Sequence, residues 1–360
     1  MTDLLALTST LVDIASVSGN ETRLVEFIEA ELVGCPWLEL TRVGDNLVAC
    51  TQLDRPLRLV LAGHTDTVPS NGNEAARIDG DRLSGLGAAD MKGGLAVMLQ
   101  LARTVADPAV DLTFVFYARE EVAAADSGLL ELQRLRPDLL MGDAALLGEP
   151  TSAIIEAGCQ GTMRVRIVLQ GARAHTARPW MGRNAVHRLG PLLNALAEYP
   201  ERQPELQGCR YHEALQAVRV EGGVAANVVP DRVEVLLNHR FAPDRTPAQA
   251  EAHVRQVVAP WLDGDDTFEV IDVAAGAAPS LDHPLLATLV ARQNLAVEAK
   301  LGWTDVARFA EMGIPAANFG PGDPTIAHTA GEFVTRADLD VAFGALDDLV
   351  RRGADPGLLP

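Results

Sequence analysis

The sequence is short of basic residues and contains no long apolar run. Lys and Arg number 30 among its 360 residues, against 49 Asp and Glu, so the formal net charge is −19. A surface of this charge repels nucleic acid and anionic lipid, and we expect neither as a partner. No apolar stretch approaches the roughly 18 residues of a membrane-spanning helix. The acidic, amphipathic start at Met1–Gly19 is typical of a helix rather than a signal peptide.

Cysteine is also scarce and widely spaced. The four cysteines, Cys35, Cys50, Cys159 and Cys209, include no C-x-x-C pair. This spacing favours reduced thiols over a disulfide framework or a thiolate metal site, and we expect a cytoplasmic protein. A hydrophobic content of 48% with 22% charged residues is typical of a globular protein, and the length suits two domains.

Hydrophobic periodicity divides the chain into three parts. The first half alternates predicted strands and helices, including a helix over Glu21–Leu32 with Asn20 as its expected N-cap. From about Gly158 the pattern becomes β-α-β-β-α-β, the order of a ferredoxin-like unit. From about Pro279 the α/β alternation resumes and ends in a helix from Arg336. We predict a mostly parallel α/β catalytic domain, residues 1–158 and 279–360, interrupted by an inserted ferredoxin-like α+β domain, residues 159–278.

Polar side chains collect at the predicted ends of strands in the α/β part. His64 and Asp66 follow the apolar run "LRLVLAG", and further acidic or imidazole side chains lie at three more strand ends and one helix start. Because ligands of open α/β sheets bind beyond the carboxyl ends of the strands, we expect these side chains to converge. They are His64, Asp66, Asp90, Glu120, Glu121, Glu149 and His328.

The convergence indicates a metal site, although each motif alone is weak. A lone H-x-D is more often a turn or a cap, and paired glutamates are usually solvated. Several carboxylates in one pocket repel one another unless cations lie among them. Imidazole and carboxylate ligands without thiolates suit Zn²⁺, with Co²⁺ or Mn²⁺ as substitutes. Asp66 and one of the two adjacent glutamates are expected in other roles, as explained below, so five ligands remain. Five ligands are more than one catalytic zinc takes, which favours two ions sharing one carboxylate.

Neighbouring positions in these motifs predict different roles. Adjacent side chains in extended backbone point to opposite sides, so Glu120 and Glu121 are not both expected to bind the same ion. One of them would bind metal and the other would act as general base for a metal-activated water. Asp66 is spaced to hydrogen-bond the imidazole of His64 and fix its tautomer.

With these residues identified, the chain resembles the dinuclear zinc family of aminoacylases, carboxypeptidases and N-acyl-amino-acid deacylases. The segments "GHTDTVP", "GLGAADMKGG", "YAREEV", "GEPT" and "GPGDPTIAHTAGE" follow the family's order and spacing. The resemblance implies Glu120 as base, Asp66 as orienter, Asp90 as bridging ligand and a cis Asp90–Met91 peptide. It implies that the metal ligands are His64, Asp90, Glu121, Glu149 and His328. It further implies that the inserted domain is a lid that forms a homodimer.

Within this family the chain looks like the desuccinylase group. That likeness implies hydrolysis of N-succinyl-L,L-diaminopimelate to succinate and L,L-diaminopimelate in lysine and diaminopimelate biosynthesis. "RAHTARP" matches the lid segment whose histidine, here His175, stabilises the oxyanion across the dimer. Asn227 and Arg240 match lid positions that contact substrate, and Arg178, Gly302 and Thr304 are further expected substrate contacts.

One position departs from the group and keeps other functions open. Gln160 stands where better-known members carry an arginine that helps to bind a substrate carboxylate, and an amide cannot form that bidentate charged pair. Arg178 would replace it, or the preferred substrate would differ. The alternatives are another N-acyl-amino-acid deacylase such as an N-acetylornithine deacetylase, an aminopeptidase or dipeptidase, and a catalytically silent metal-binding scaffold.

Overall fold

The computed structural model describes residues 3–358, and these fall into two compact units. The first contains the chain up to Ala157, Pro279–Glu298 and the chain from Arg308, and the second contains Gly158–Ala278 and Ala299–Ala307. The segment Ala299–Ala307 thus belongs to the second unit, although it was predicted to lie in the last part of the catalytic domain. None of the described helices is long and apolar enough to span a membrane.

The α-helices of the described residues follow the predicted order. They are α1 (Leu4–Asp13), α2 (Thr22–Val33), α3 (Gly93–Thr104), α4 (Gly128–Leu135), α5 (Ala185–Ala197), α6 (Pro247–Val258), α7 (Pro284–Gln293), α8 (Val306–Glu311) and α9 (Arg336–Arg352).

The strands include the predicted ones and several short ones that were not predicted. In the first part of the chain they are β1 (Glu39–Val43), β2 (Asn46–Cys50), β3 (Arg58–His64), β4 (Arg77–Asp79), β5 (Arg82–Ser84), β6 (Asp111–Tyr117), β7 (Ala144–Leu147) and β8 (Ile155–Ala157). The others are β9 (Gly161–Gln170), β10 (Glu205–Leu206), β11 (Cys209–Arg210), β12 (Ala214–Gly222), β13 (Arg232–Phe241), β14 (Thr267–Ala274), β15 (Val297–Ala299), β16 (Ala316–Asn318) and β17 (Phe333–Thr335).

The first unit is a mixed α/β fold built on a large sheet. Its eight strands have the order β1-β2-β6-β3-β7-β16-β8-β15. The four central strands, β6, β3, β7 and β16, run parallel, while β1, β2 and β8 pair antiparallel with their neighbours. The central strands are apolar on both faces and almost wholly buried, as expected for parallel strands covered on both sides. The carboxyl ends of four strands therefore meet at one edge.

Helix α3 brings the segment around Asp90 to this edge. It is buried along most of its length, and α1, α2 and α9 pack against it. Its Gly94 is required, because a Cβ at this position would lie 2.1 Å from the carbonyl oxygen of Gly148. The close approach places the start of α3 beside the end of β7. An irregular turn, Ala88–Lys92, with non-helical backbone at Asp90 and Met91, precedes α3, and its Asp90–Met91 peptide is cis.

The second unit contains a four-stranded antiparallel sheet with the order β12-β13-β9-β14. Helices α5 and α6 contact this sheet, and their apolar side chains, including Leu189 and Val254, form a core with inward residues such as Val235. The alternating burial of β13, with every second residue buried, is typical of a sheet that has one covered face. Apart from the short two-stranded sheet of β10 and β11, the chain order is β-α-β-β-α-β, which agrees with the predicted topology.

The prediction of Asn20 as the N-cap of α2 is wrong. Helix α2 begins one residue later, with Glu21 at the N-cap, and the Glu21 side chain makes no capping hydrogen bond. Its Oε1 accepts hydrogen bonds from outside the helix, as described below. The prediction of free thiols is confirmed, since all four cysteines lie in the described part of the chain and none forms a disulfide.

Candidate metal centre

His64 is the last residue of β3, and its two ring nitrogens have different neighbours. Nδ1 lies 3.1 Å from the backbone carbonyl oxygen of Asp66, and Nε2 lies 3.0 Å from Oδ1 of Asp90. Because a carbonyl only accepts hydrogen bonds, Nδ1 carries the ring proton in the neutral imidazole. Nε2 is then the nitrogen available to a metal ion.

His328 and Glu121 approach the same carboxylate from two other segments. Nε2 of His328 lies 2.8 Å from Oε1 of Glu121 and 3.4 Å from Oδ2 of Asp90. Ligand atoms of His64, Asp90 and Glu121 all lie within 4.8 Å of one another. Asp90 thus lies between the two histidines, and Glu121, rather than Glu120, joins the group.

The electrostatics of this cluster favour a cation. Burial opposes protonation of His64, but contacts with Asp66 and Asp90 and the charge of Glu149 raise its pKa well above the ordinary value. Hydrogen bonds with Asp90 and Glu121 raise the pKa of His328 to about 10. Glu149, two residues after the end of β7, is itself buried. The negative charge of the carboxylates therefore favours binding of a cation, and the imidazole and carboxylate ligands fit Zn²⁺ or a similar dication.

Asp66 is buried and connects His64 with the segment after β6. Oδ1 lies 3.5 Å from Nδ1 of His64 and accepts a 2.9 Å hydrogen bond from the N–H of Glu120. Oδ2 accepts hydrogen bonds from the N–H of Glu121 at 3.0 Å and from the hydroxyl of Ser18 at 2.7 Å. Burial acts to raise the pKa of Asp66, but the contacts with His64, Ser18 and Glu120 lower it to about 2. The carboxylate is thus charged and fully engaged at neutral pH.

Sequence reasoning missed two buried glutamates beside the centre. Oε1 of Glu332 accepts hydrogen bonds from the N–H groups of Ala89 and Asp90, both at 3.0 Å. Glu332 follows His328 by four residues, so it connects the loop of His328 with the turn of Asp90. Glu21 similarly accepts a hydrogen bond from the N–H of Arg119. No signal in one sequence indicates which distant amide a carboxylate will meet.

The predicted oxyanion and substrate residues of the inserted domain, which include His175, Arg178 and Asn227, belong to the second unit. The segments of His175 and Asn227 are paired through their backbones, with the N–H of Thr176 3.0 Å from the carbonyl oxygen of Asn227. Nδ1 of His175 accepts a 3.0 Å hydrogen bond from the N–H of Ala177. His175 is exposed, as is Arg178.

The other predicted substrate-contact residues of the second unit differ in how exposed they are. Arg240 is half-buried, and burial together with the charge of Arg164 lowers the pKa of its guanidinium. Within residues 3–358 it has no carboxylate partner. Gly302 is exposed and Thr304 is buried.

Gln160 is buried and its side chain is fully used inside the second unit. Its Nε2 donates a 2.8 Å hydrogen bond to the carbonyl oxygen of His212, and its Oε1 accepts one of 3.2 Å from the N–H of the same residue. The residue that departs from the expected arginine therefore connects two backbone segments of the protein.

Comparison with known proteins identifies the class. Residues 60–352 match Peptidase family M20/M25/M40, and the chain belongs to this family of hydrolases. A Mycobacterium tuberculosis protein provisionally named succinyl-diaminopimelate desuccinylase DapE is 50% identical over 352 residues, which cover 97% of each chain. Succinyl-diaminopimelate desuccinylase of Corynebacterium glutamicum is 43% identical over 92% of this chain and 91% of its own.

Solved structures agree with the fold. A tripeptidase from Staphylococcus aureus superposes with a TM-score of 0.80 over 97% of each chain, at 20% identity. The Bacillus subtilis YXEP protein, a dinuclear metal-binding peptidase of the M20 family, gives a TM-score of 0.72 over 97% of each chain, at 18% identity. At these identities the likeness shows the fold alone.

Proposed function

We propose that the protein hydrolyses the amide bond of N-succinyl-L,L-diaminopimelate and releases succinate and L,L-diaminopimelate, a step of lysine and diaminopimelate biosynthesis. The observation that supports this most is the group of His64, Asp90 and Glu121 beside Glu120, in a chain 50% and 43% identical to proteins named for that reaction. The free cysteines are typical of a reducing compartment, which supports a cytoplasmic location.

The metal ligands proposed are His64, Asp90, Glu121, Glu149 and His328. Asp90 lies between the two imidazoles, which suits a carboxylate shared by two Zn²⁺ ions, with Co²⁺ or Mn²⁺ as substitutes. When bound, the ions polarise the scissile carbonyl and lower the pKa of water. Glu332 and Asp66 accept hydrogen bonds from the backbone around the ligands and would hold the ligand side chains in position.

Glu120 is the proposed general base. It adjoins Glu121, which belongs to the group of ligand atoms, and its backbone N–H donates a hydrogen bond to Asp66. Its carboxylate would accept a proton from the attacking water and later return it to the leaving amine. Asp66 would fix the tautomer of His64 as well, through its carbonyl oxygen and its charge.

The second unit is proposed to act as a lid and as the homodimer contact. Nδ1 of His175 accepts a backbone hydrogen bond, so a neutral ring carries its proton on Nε2. That N–H is the donor that an oxyanion requires, and the ring is exposed and free to reach a second subunit. Closing the lid would exclude bulk water from the reacting bond.

Arg240 is the proposed partner of a substrate carboxylate, together with the exposed Arg178. Its guanidinium is half-buried and has no carboxylate partner among the described residues, so it is available to bind an anionic ligand. The internal hydrogen bonds of Gln160 account for why this residue would not contact the substrate. Asn227, Gly302 and Thr304 complete the proposed substrate contacts.

The proposal is tested by comparing kcat/KM for N-succinyl-L,L-diaminopimelate and N-acetyl-L-ornithine with zinc-loaded and chelated enzyme. We expect a zinc-dependent preference of about several hundredfold for the succinylated substrate, since a buried charged contact is unmatched in the acetylated one. Preference for N-acetyl-L-ornithine, or for a dipeptide included as a third substrate, would replace the proposed substrate but keep the chemistry. Bound zinc with no hydrolysis of any acyl-amino acid would favour a scaffold protein.

A further inference from the structure

Glu21 is a fully buried carboxylate next to the segment that bears Glu120. Its Oε1 accepts hydrogen bonds from the N–H of Gly19 at 2.8 Å and from the N–H of Arg119 at 3.1 Å. Burial raises its pKa, and the nearby charge of Asp66 acts in the same direction. Burying the carboxylate of Glu21 costs free energy. The buried carboxylate nevertheless accepts a hydrogen bond from the N–H of Arg119, which lies 98 residues away along the chain.

Glu21 and Asp66 together bind three consecutive backbone amides. The N–H of Arg119 donates to Glu21, and the N–H groups of Glu120 and Glu121 donate to the two oxygens of Asp66. Two carboxylates from two distant segments therefore fix the path of the chain through the proposed base. Ser18, three residues before Glu21, donates to Asp66 and ties the two segments to each other.

The backbone at Arg119 needs such an anchor. Its φ is +60°, a left-handed conformation that non-glycine residues rarely adopt. Beyond Glu121 the chain is exposed over residues 122–126. On that side the Arg119 side chain donates hydrogen bonds to the carbonyl oxygen of Asp126 and to Glu131, whereas its backbone N–H has Glu21 as acceptor. If the N–H of Arg119 lost its acceptor, relaxation of φ would redirect the next residue, which is Glu120.

We propose that Glu21 is a positioning residue for Glu120, and that it holds Arg119 in the left-handed conformation that directs the base toward the reacting water. This inference rests on the proposed function, because it takes Glu120 as the general base. Glu21 touches neither substrate nor metal in this assignment and acts only through the backbone of residues 119–121.

The test uses the zinc-loaded enzyme with Glu21→Ala, Glu21→Gln and a matched control, Glu26→Gln. Glu26 is an exposed glutamate of the same helix, α2, and its substitution should leave kcat unchanged. Glu21→Ala should lower kcat about 100-fold, as expected for a misplaced catalytic group, with KM and zinc content unchanged. Glu21→Gln keeps an acceptor for both N–H groups and should retain kcat within about threefold.

A double-mutant cycle separates positioning from a general structural role. In a Glu120→Gln background, Glu21→Ala should cause almost no further loss of kcat, because the group that it positions is already disabled. An equal loss in both backgrounds would overturn the inference, as would an unchanged kcat in Glu21→Ala. Should Glu21→Ala fail to fold, a Glu21→Asp variant, whose shorter side chain withdraws the acceptor, takes its place with the same expected results. A parent enzyme without activity on succinylated substrate would instead refute the proposed function.

Discussion

Nε2 of His328 lies 2.8 Å from Oε1 of Glu121, although 207 residues separate them in the sequence. His328 has a left-handed backbone, with φ of +62°, and about half of its side chain is exposed. His64, by contrast, is buried at the end of a central strand. The two imidazoles of the centre are therefore supplied in different ways, one by the sheet and one by an exposed loop that Glu332 connects to the turn of Asp90.

Replacing His328 should weaken metal binding at one position while the other persists. His328→Ala leaves Asp90 and Glu121 in place but removes a nitrogen ligand, so zinc affinity at that position should fall by more than the about 10–100-fold that is lost when a hydrogen-bond partner of a ligand is removed. Zinc per chain after dialysis, measured by mass spectrometry, should drop to about half. The exposed His187 provides the control, since His187→Ala should retain the parent zinc content. Full zinc occupancy in His328→Ala would contradict its place among the ligands.

Glu120→Gln should separate catalysis from metal binding. The substitution keeps size and polarity but removes the proton acceptor, so we expect kcat to fall about 10²–10⁴-fold. Zinc content and the KM for N-succinyl-L,L-diaminopimelate should change little, because Glu120 is assigned as the base and not as a metal ligand. A variant that retains parent kcat would rule out the role of general base, and one that loses zinc would place Glu120 among the ligands.

Apolar periodicity predicts the elements that present the centre. A buried, continuous apolar run is present in each of β3, β6, β7 and α3, and such runs are visible in the sequence. Strand ends in a parallel sheet share an edge, so the convergence of His64, Asp90 and Glu121 could also be expected. The strands that were not predicted are β1, β4, β5, β8, β10, β11 and β17; all but β1 have only two or three residues, which are too few to show a period.

The hydrogen bonds that support the centre could not be predicted from the sequence. The spacing of His64 and Asp66 indicates a bond between carboxylate and imidazole, yet the closer contact of the ring is with the carbonyl oxygen of Asp66. The Asp66 carboxylate is occupied by the amides of Glu120 and Glu121. Side-chain contacts to distant backbone amides depend on the tertiary path of the chain, which residue types alone do not encode.

Arg240 should determine how tightly the succinylated substrate binds. A hydrogen bond between charged groups contributes about 1.5–3 kcal/mol, so Arg240→Met should raise KM about 10–100-fold. Because the contact would exist before and during the reaction, kcat should change less than KM. Steady-state kinetics with N-succinyl-L,L-diaminopimelate measure both. Arg178→Met serves as the comparison: a larger effect there than at Arg240 would assign the carboxylate to the exposed arginine.

The second unit should lose stability in mild acid through two histidines that do not belong to the metal centre. His239 is fully buried, with Nδ1 3.0 Å from the carbonyl oxygen of Ala214, and its ring lies 5.7 Å from the ring of His253. Nε2 of His253 lies 2.6 Å from the hydroxyl of Tyr199. Burial lowers the pKa of both histidines.

The sign of the effect follows from these directions. A histidine whose pKa is lower in the folded protein binds a proton more readily when unfolded, so stability falls as pH drops below the unfolded pKa of about 6.5. Urea unfolding of the full-length, zinc-loaded protein should show a smaller free energy of unfolding at pH 5.5 than at pH 7.5. His253→Gln should reduce that difference because it removes one of the two titrating groups, while His187→Gln, at an exposed position, should leave it unchanged. An equal pH dependence in both variants would assign the loss to groups elsewhere, such as the ligands of the metal centre.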